Sequence, residues 1–179
     1  MIKIKNFFTE YLENQSLLIN KINTNDLEKA AILVSKINKN KIILIGNGGS
    51  ASICSHMATD FSKVHKIRAI SFSSDSFLTC FSNDYGYENW CKKALEIFCD
   101  KNDLVILISS SGNSDNIVSA AKHCKKHKIK FITMSGFNKN NKLNKFGNIN
   151  FWVNSRSYNY IEMTHHIILT SICDYLVNR

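Results

Sequence analysis

Five short runs rich in isoleucine, leucine and valine alternate with helical patterns, and that alternation restricts the fold more than anything else in the chain. The runs cover residues 41–45, 67–71, 104–108, 128–134 and 149–153. Each is too short for a helix and strongly apolar, as a strand covered on both faces must be. Helical spacing fills the gaps, at about 51–63, 75–82 and 87–99, from about 115, and at about 158–177. A strand joined to the next by a helix runs parallel to it, so the expected fold is α/β, a doubly wound five-stranded parallel sheet flanked by helices.

Two further helical patterns precede the first strand, at 4–22 and from about residue 25, where Asn25 and Glu28 have the spacing of a capping box. Their apolar stripes need cover, which the sheet or a partner subunit can give, and partial cover by a partner is expected. The 179 residues suffice for one domain with a sizeable core. No apolar run approaches the ~20 residues needed to cross a bilayer, and charges interrupt the apolar pattern of the N-terminus. The expected location is the cytoplasm, without membrane attachment. Six cysteines form no CxxC pair and lie in or beside apolar segments, which reads as free core thiols in a reducing compartment.

Two loops interrupt this pattern where ligands bind in such sheets, at the carboxyl ends of strands. Gly46-Asn47-Gly48-Gly49-Ser50 follows the first strand. Its glycines permit positive φ and close approach of a ligand to the backbone, or simply a tight turn. It lacks the full GxGxxG fingerprint and the Gly-Lys-Ser/Thr of a phosphate-binding P-loop, so no nucleotide cofactor is expected. Ser109-Ser110-Ser111-Gly112-Asn113-Ser114 separates a strand from a helix beginning near Asp115. Free N–H groups at a helix start, the helix dipole and several hydroxyls together favour a phosphate. Read alone, it also fits an ordinary serine-rich loop.

The net charge of +9 fits either a nucleic-acid partner or an anionic small substrate. The densest basic run, 122–130, falls at a helix C-terminus and carries no interleaved aromatic residues, so a solvated helix end is favoured over nucleic acid. Two carboxylate and imidazole pairs stand four residues apart on helices, His56 with Asp60 and Glu162 with His166. Such pairs can bind a divalent metal, pass protons or form a polar patch. His65, His123 and His127 read as surface groups.

GNGGSA at 46–51, SNDYGYE at 82–88 and ISSSGNS at 108–114 stand in an order and spacing that resemble the SIS (sugar isomerase) domain family, in its phosphoheptose (sedoheptulose 7-phosphate) isomerase branch. The resemblance spans nearly all of residues 1–179 and implies a single SIS domain, with two leading helices (about 4–38) that contribute to oligomerisation. It implies a homotetramer with sites between subunits and enediol proton transfer between C1 and C2 of a phosphorylated sugar. Carried over by position, Asn47, Gly48, Ser50, Asp84, Ser109, Ser110, Ser111 and Ser114 bind substrate. His56 matches a zinc ligand.

The chain departs from the family pattern at four other positions. Asp60 replaces a glutamate, Glu162 a glutamine, Thr170 the catalytic histidine, and Asn159 an aspartate. A threonine cannot serve as a base near neutral pH. His166, one turn before Thr170 on the same helix face, is positioned to replace the missing imidazole. Two outcomes follow: a zinc site of His56, Asp60, Glu162 and His166, with Asp60 and His166 as the acid/base pair, or a His166 that is only a packed or surface residue and a metal site that is lost. Two alternatives remain open, a non-catalytic SIS protein that binds a phosphosugar or a replication initiator, and an isomerase of another phosphosugar.

Overall fold

The computed structural model describes residues 4–72 and 74–177. Its strands are β1 (Lys41–Ile45), β2 (Arg68–Ser71), β3 (Leu104–Ser109), β4 (Lys130–Ser135) and β5 (Ile149–Trp152). Its helices are α1 (Ile4–Ile19), α2 (Thr24–Ser35), α3 (Gly49–His65), α4 (Asp75–Tyr85), α5 (Trp90–Phe98), α6 (Asp115–His127) and α7 (Tyr158–Val177). The strands form one sheet in the order β2-β1-β3-β4-β5, every pairing parallel. The expected five-stranded doubly wound sheet is thus present.

Side chains alternate across each strand and feed two cores. Ile42, Leu44, Leu104, Ile106, Ile108, Ile132 and Met134 pack with α2, α3 and α7 through residues such as Ala30, Val34, Met57, Phe61 and Ile168. Ile43, Ile45, Val105, Leu107 and Phe131 pack on the other face with α5 and α6 through Trp90, Leu95, Ile117, Ala121 and Cys124. β3 lies in the middle of the sheet and all six of its residues are buried, which is why it reads as an unbroken apolar run.

Chain order reverses at β1 and β3. From β1 the chain passes to α3 and outward to β2, whereas from β3 it passes to α6 on the opposite face and then to β4. The loops leaving these adjacent strands therefore diverge and open a crevice at their carboxyl ends, the usual ligand position in such folds.

Several boundaries differ from the sequence reading. The first helix stops at Ile19. The second is capped by Asn23, whose side chain accepts the Asn25 N–H at 2.9 Å, rather than by a capping box on Asn25 and Glu28. Residues 83–85, expected in a turn, form the last turn of α4, which Gly86 ends at φ +82°. The polar stretch after β4 is tied down by Asn141, which is buried and donates to Ser135 Oγ, Gly136 O and Asn138 O at 2.8–3.2 Å. His123 is also less exposed than expected. Its side chain is 8% exposed, faces Glu96 at 3.9 Å and stacks on His127 at 4.3 Å. His65 bonds the Cys173 carbonyl at 2.8 Å.

The six cysteines are free thiols. Among the described residues, no helix is long and apolar enough to cross a membrane. α1 has no buried residue and leaves Ile4, Phe7, Phe8, Leu12 and Leu17 exposed. It meets α7 through a Gln15–Thr164 hydrogen bond of 2.9 Å and stacking of Tyr11 on Tyr160 at 4.6 Å.

Candidate active site

The Ser loop turns sharply because Gly112 takes φ +66°, and a side chain there would overlap Asn141. Backbone bonds from Gly136 N to Ser110 O (2.8 Å) and from Leu143 N to Gly112 O (2.9 Å) brace the loop against the segment after β4. Its four serines have different surroundings. Ser109 donates its hydroxyl to Ser114 at 3.1 Å, and Ser111 Oγ accepts the Asn113 N–H at 3.2 Å. Ser110 is buried and turned toward the Gly loop and α7, with Ser50 Oγ and Glu162 Oε1 each 3.4 Å from its hydroxyl. Ser111 and Ser114 are partly exposed at the start of α6.

The Gly loop lies beside it. Gly48 (φ +53°) precedes α3 and leaves the helix start without a side-chain cap. A side chain at Gly49 would overlap the Glu162 carboxylate, so α7 lays an acidic group directly on the first turn of α3. That placement suits the helix dipole. Asn47 pairs with Asn116, a contact discussed below.

From this point α3 and α7 run side by side in the same direction. Gly49 meets Glu162, His56 meets His166, and His65 meets the carbonyl of Cys173. The seam carries a hydrogen-bonded line of three side chains. Asp60 Oδ2 lies 3.2 Å from His56 Nε2, and His56 Nδ1 lies 2.8 Å from His166 Nε2. Burial and the neighbouring His56 hold the His166 pKa below its ordinary value, against the opposing pull of Asp60.

The structure therefore joins three of the four residues expected to hold zinc and separates the fourth. Glu162 sits one helical turn back, at Ser110 and Gly49. His56 faces Asp60 with one ring nitrogen and His166 with the other. These two nitrogens point out of different sides of the ring, so Asp60 and His166 do not converge with His56 on one ion. Among the described residues, no three His, Cys, Asp or Glu side chains form a metal site. In this structure the four side chains are divided between the Asp60–His56–His166 line and Glu162.

Thr170 turns its hydroxyl back onto its own helix, donating to His166 O at 3.0 Å and Ile167 O at 3.1 Å. Asp84 lies near the end of α4. Its carboxylate is held by Asn83 at 2.9 Å and by the Cys80 thiol at 3.6 Å.

Sequence reasoning missed two buried groups beside the site. Asn116 and Asn141 brace the loops, and only their position in polar stretches next to the motifs marked them. His165, adjacent to His166, is fully buried, and its Nε2 bonds the Ser135 carbonyl at 3.2 Å. Its Nδ1 has no partner, and burial pushes its pKa down to about 4.

Known proteins share this fold. The model of the SIS domain family matches residues 8–136. The phosphoheptose isomerase of Aliarcobacter butzleri is 35% identical over 146 residues, covering 78% of this chain and 77% of the relative. Phosphoheptose isomerase structures from Neisseria gonorrhoeae and Francisella tularensis superpose with TM-scores of 0.87 and 0.89. The first is 24% identical and covers 97% of this chain and 99% of its own. The second is 22% identical and covers 99% and 100%. With its serine and glycine loops at the sheet crevice and its relatives at this level of identity, the chain belongs to the SIS domain family, in the phosphoheptose isomerase branch.

Proposed function

We propose that this chain is an aldose–ketose isomerase that interconverts sedoheptulose 7-phosphate and an aldoheptose 7-phosphate. The observation that carries this reading is the α3–α7 seam, which begins at the Ser loop and leads to His56 and His166. Seven residues separate Gly49 from His56, or ~10 Å of helix at ~1.5 Å per residue. A seven-carbon chain with its phosphate ester, built of ~1.5 Å bonds, extends roughly as far. A phosphate on Ser109, Ser111, Ser114 and the start of α6 thus puts C1 and C2 next to the imidazoles. Ser50, Gly48 and the Gly loop face the middle of the sugar, where Glu162 accepts hydrogen bonds from its hydroxyls.

The proton transfer is assigned to side chains. Asp60 accepts the N–H of His56, whose other nitrogen accepts the N–H of His166. This fixes the tautomer that leaves His166 Nδ1 as a lone pair. That nitrogen takes the proton from C1 of the ketose, and the electron pair left behind forms the C1–C2 double bond while the C2 oxygen takes the negative charge of an enediolate. The C1 hydroxyl proton passes to that oxygen, and His166 returns its proton to C2 as the carbonyl forms at C1. Asp60 compensates the imidazolium through His56, so the acid/base function resides in the line as a whole.

The subunits assemble as a homotetramer in the cytoplasm. The exposed apolar stripe of α1 supports the assembly, and six free thiols support a reducing compartment. Asp84 reaches a site from a neighbouring subunit, consistent with an α4 that has no buried residue.

Incubation with sedoheptulose 7-phosphate in deuterated water, followed by NMR, tests the reading. The expected result is an aldose signal with deuterium at C2. His166→Ala should lower the rate by about 10²–10⁴-fold. Absence of both aldose and C1 exchange in the unmutated protein overturns isomerisation. Retained sugar binding in that case would favour the second reading, a phosphosugar-binding protein without turnover. The observation favouring that reading is the hydroxyl at position 170 turned onto its own helix.

A further inference from the structure

The two ligand loops leave neighbouring strands toward opposite faces of the sheet, so something must fix their relative position. Asn116, in the first turn of α6, is 1% exposed and faces Asn47 of the Gly loop. Asn47 Nδ2 donates to Asn116 Oδ1 at 3.0 Å, and Asn116 Nδ2 donates to Asn47 Oδ1 at 2.8 Å. The two amides therefore bond reciprocally, face to face. Asn116 Nδ2 also reaches Cys91 Sγ on α5 at 3.3 Å. One buried side chain thereby ties together the Gly loop, the helix that starts the Ser loop's anion site, and the helix layer beneath both.

We propose that Asn116 is a positioning residue that fixes the distance between the Gly loop and the Ser loop, so that sugar and phosphate are gripped as one unit. This rests on the phosphosugar reading above. A reciprocal amide pair has two bonds in one plane, which specifies orientation as well as separation. In a buried setting, removing one partner leaves the other's donor and acceptor unsatisfied. Asn47 retains a second N–H and a second lone pair, which point toward the ligand once Asn116 has set the plane of the amide.

The consequence depends on ligand size. Inorganic phosphate contacts only the Ser loop and does not sense the spacing. A phosphorylated heptose spans both loops and does.

Calorimetry with both ligands on the unmutated protein, Asn116→Leu and Asn116→Ser tests this. Hydrogen exchange at residues 46–51 is measured in parallel. The lock predicts sedoheptulose 7-phosphate binding weakened by about tenfold or more, with phosphate binding changed less than about twofold. It also predicts faster exchange in the Gly loop. In an Asn47→Leu background, Asn116→Leu should add little, because the pair is already broken. Equal losses for both ligands, or unchanged exchange in residues 46–51, would overturn it. If the leucine variant does not fold, the serine variant gives the same readouts. If the unmutated protein binds phosphate but not the phosphosugar, the functional reading fails, while the exchange data still decide whether Asn116 locks the loop.

Discussion

The two ends of the central strands solve opposite problems. At the amino ends of β1 and β3, Asp103 is buried and its carboxylate is saturated. It accepts Lys41 N at 2.9 Å and Asp100 N at 2.7 Å, and it pairs with Lys41 Nζ at 2.6 Å. Lys41 also meets Asp100 at 2.6 Å. Its pKa is raised, because these two carboxylates outweigh the opposing effect of its own burial. At the carboxyl ends, α3 and α6 both start without a side-chain cap, so the N–H groups of their first turns are left for a ligand, and glycines replace side chains. A pole whose polar groups satisfy one another contributes stability and has nothing left for a ligand. A pole with unfilled donors costs stability and can bind an anion.

The contrast can be broken from either end. Lys41→Met should have the largest effect, about 3–5 kcal/mol of lost stability, because it strands the buried Asp103 charge. Urea unfolding measures this, and affinity for phosphate should stay as it was. If binding falls along with stability, the poles are not separable.

The second test concerns pH. The unfolded chain protonates His165 near the ordinary imidazole value of 6.5, whereas the folded chain resists until about pH 4. Stability is therefore full above pH 6.5 and declines as the pH falls through that window, by about 3 kcal/mol in all. His165→Gln should flatten the slope of the urea midpoint between pH 6.5 and 4. An equally steep slope in that variant would place the acid sensitivity elsewhere.

At the ligand pole, Ser109→Ala combined with Ser114→Ala should weaken phosphate by about 10- to 100-fold, as expected for lost hydrogen bonds to a charged group. The melting temperature should barely move, in contrast to Lys41→Met. A large drop in melting temperature without loss of phosphate would assign these hydroxyls to the scaffold. The smallest effect belongs to Thr170→Val. The Thr170 hydroxyl is satisfied within its own helix, so stability should shift by only about 0.5 kcal/mol and turnover should persist. Lost turnover would return the chemistry to position 170.

Much of this organisation was legible in local pattern. The strands announced themselves because each is buried on both faces, and the two loops because glycine and serine interrupt that burial. α7 matched its expected span, 158–177. Less was legible where partners are remote in sequence. Asn116 is one asparagine among many until the fold places it 69 residues away against Asn47. Lys41 and Asp103 are an ordinary strand-end pair of charges until β1 and β3 align them. Glu162 and His166 share a helix face with the spacing of a ligand pair, yet the parallel run of α3 past α7 gives each a different neighbour. Helical spacing says which residues share a face. It does not say what that face meets.

The sequence by itself therefore determined the alternation of strands and helices, the parallel sheet, the family, and the two loops at the strand ends. These depend on periodicity and on residues within a few positions of each other, which the chain carries locally. Only the tertiary structure decided that the loops are joined through Asn47 and Asn116. It alone showed that Asp60, His56 and His166 form a line without Glu162, and that one sheet pole is saturated while the other has donors to spare. Each of these depends on the distance between side chains held by different helices and strands, and packing of the two cores against the sheet sets that distance.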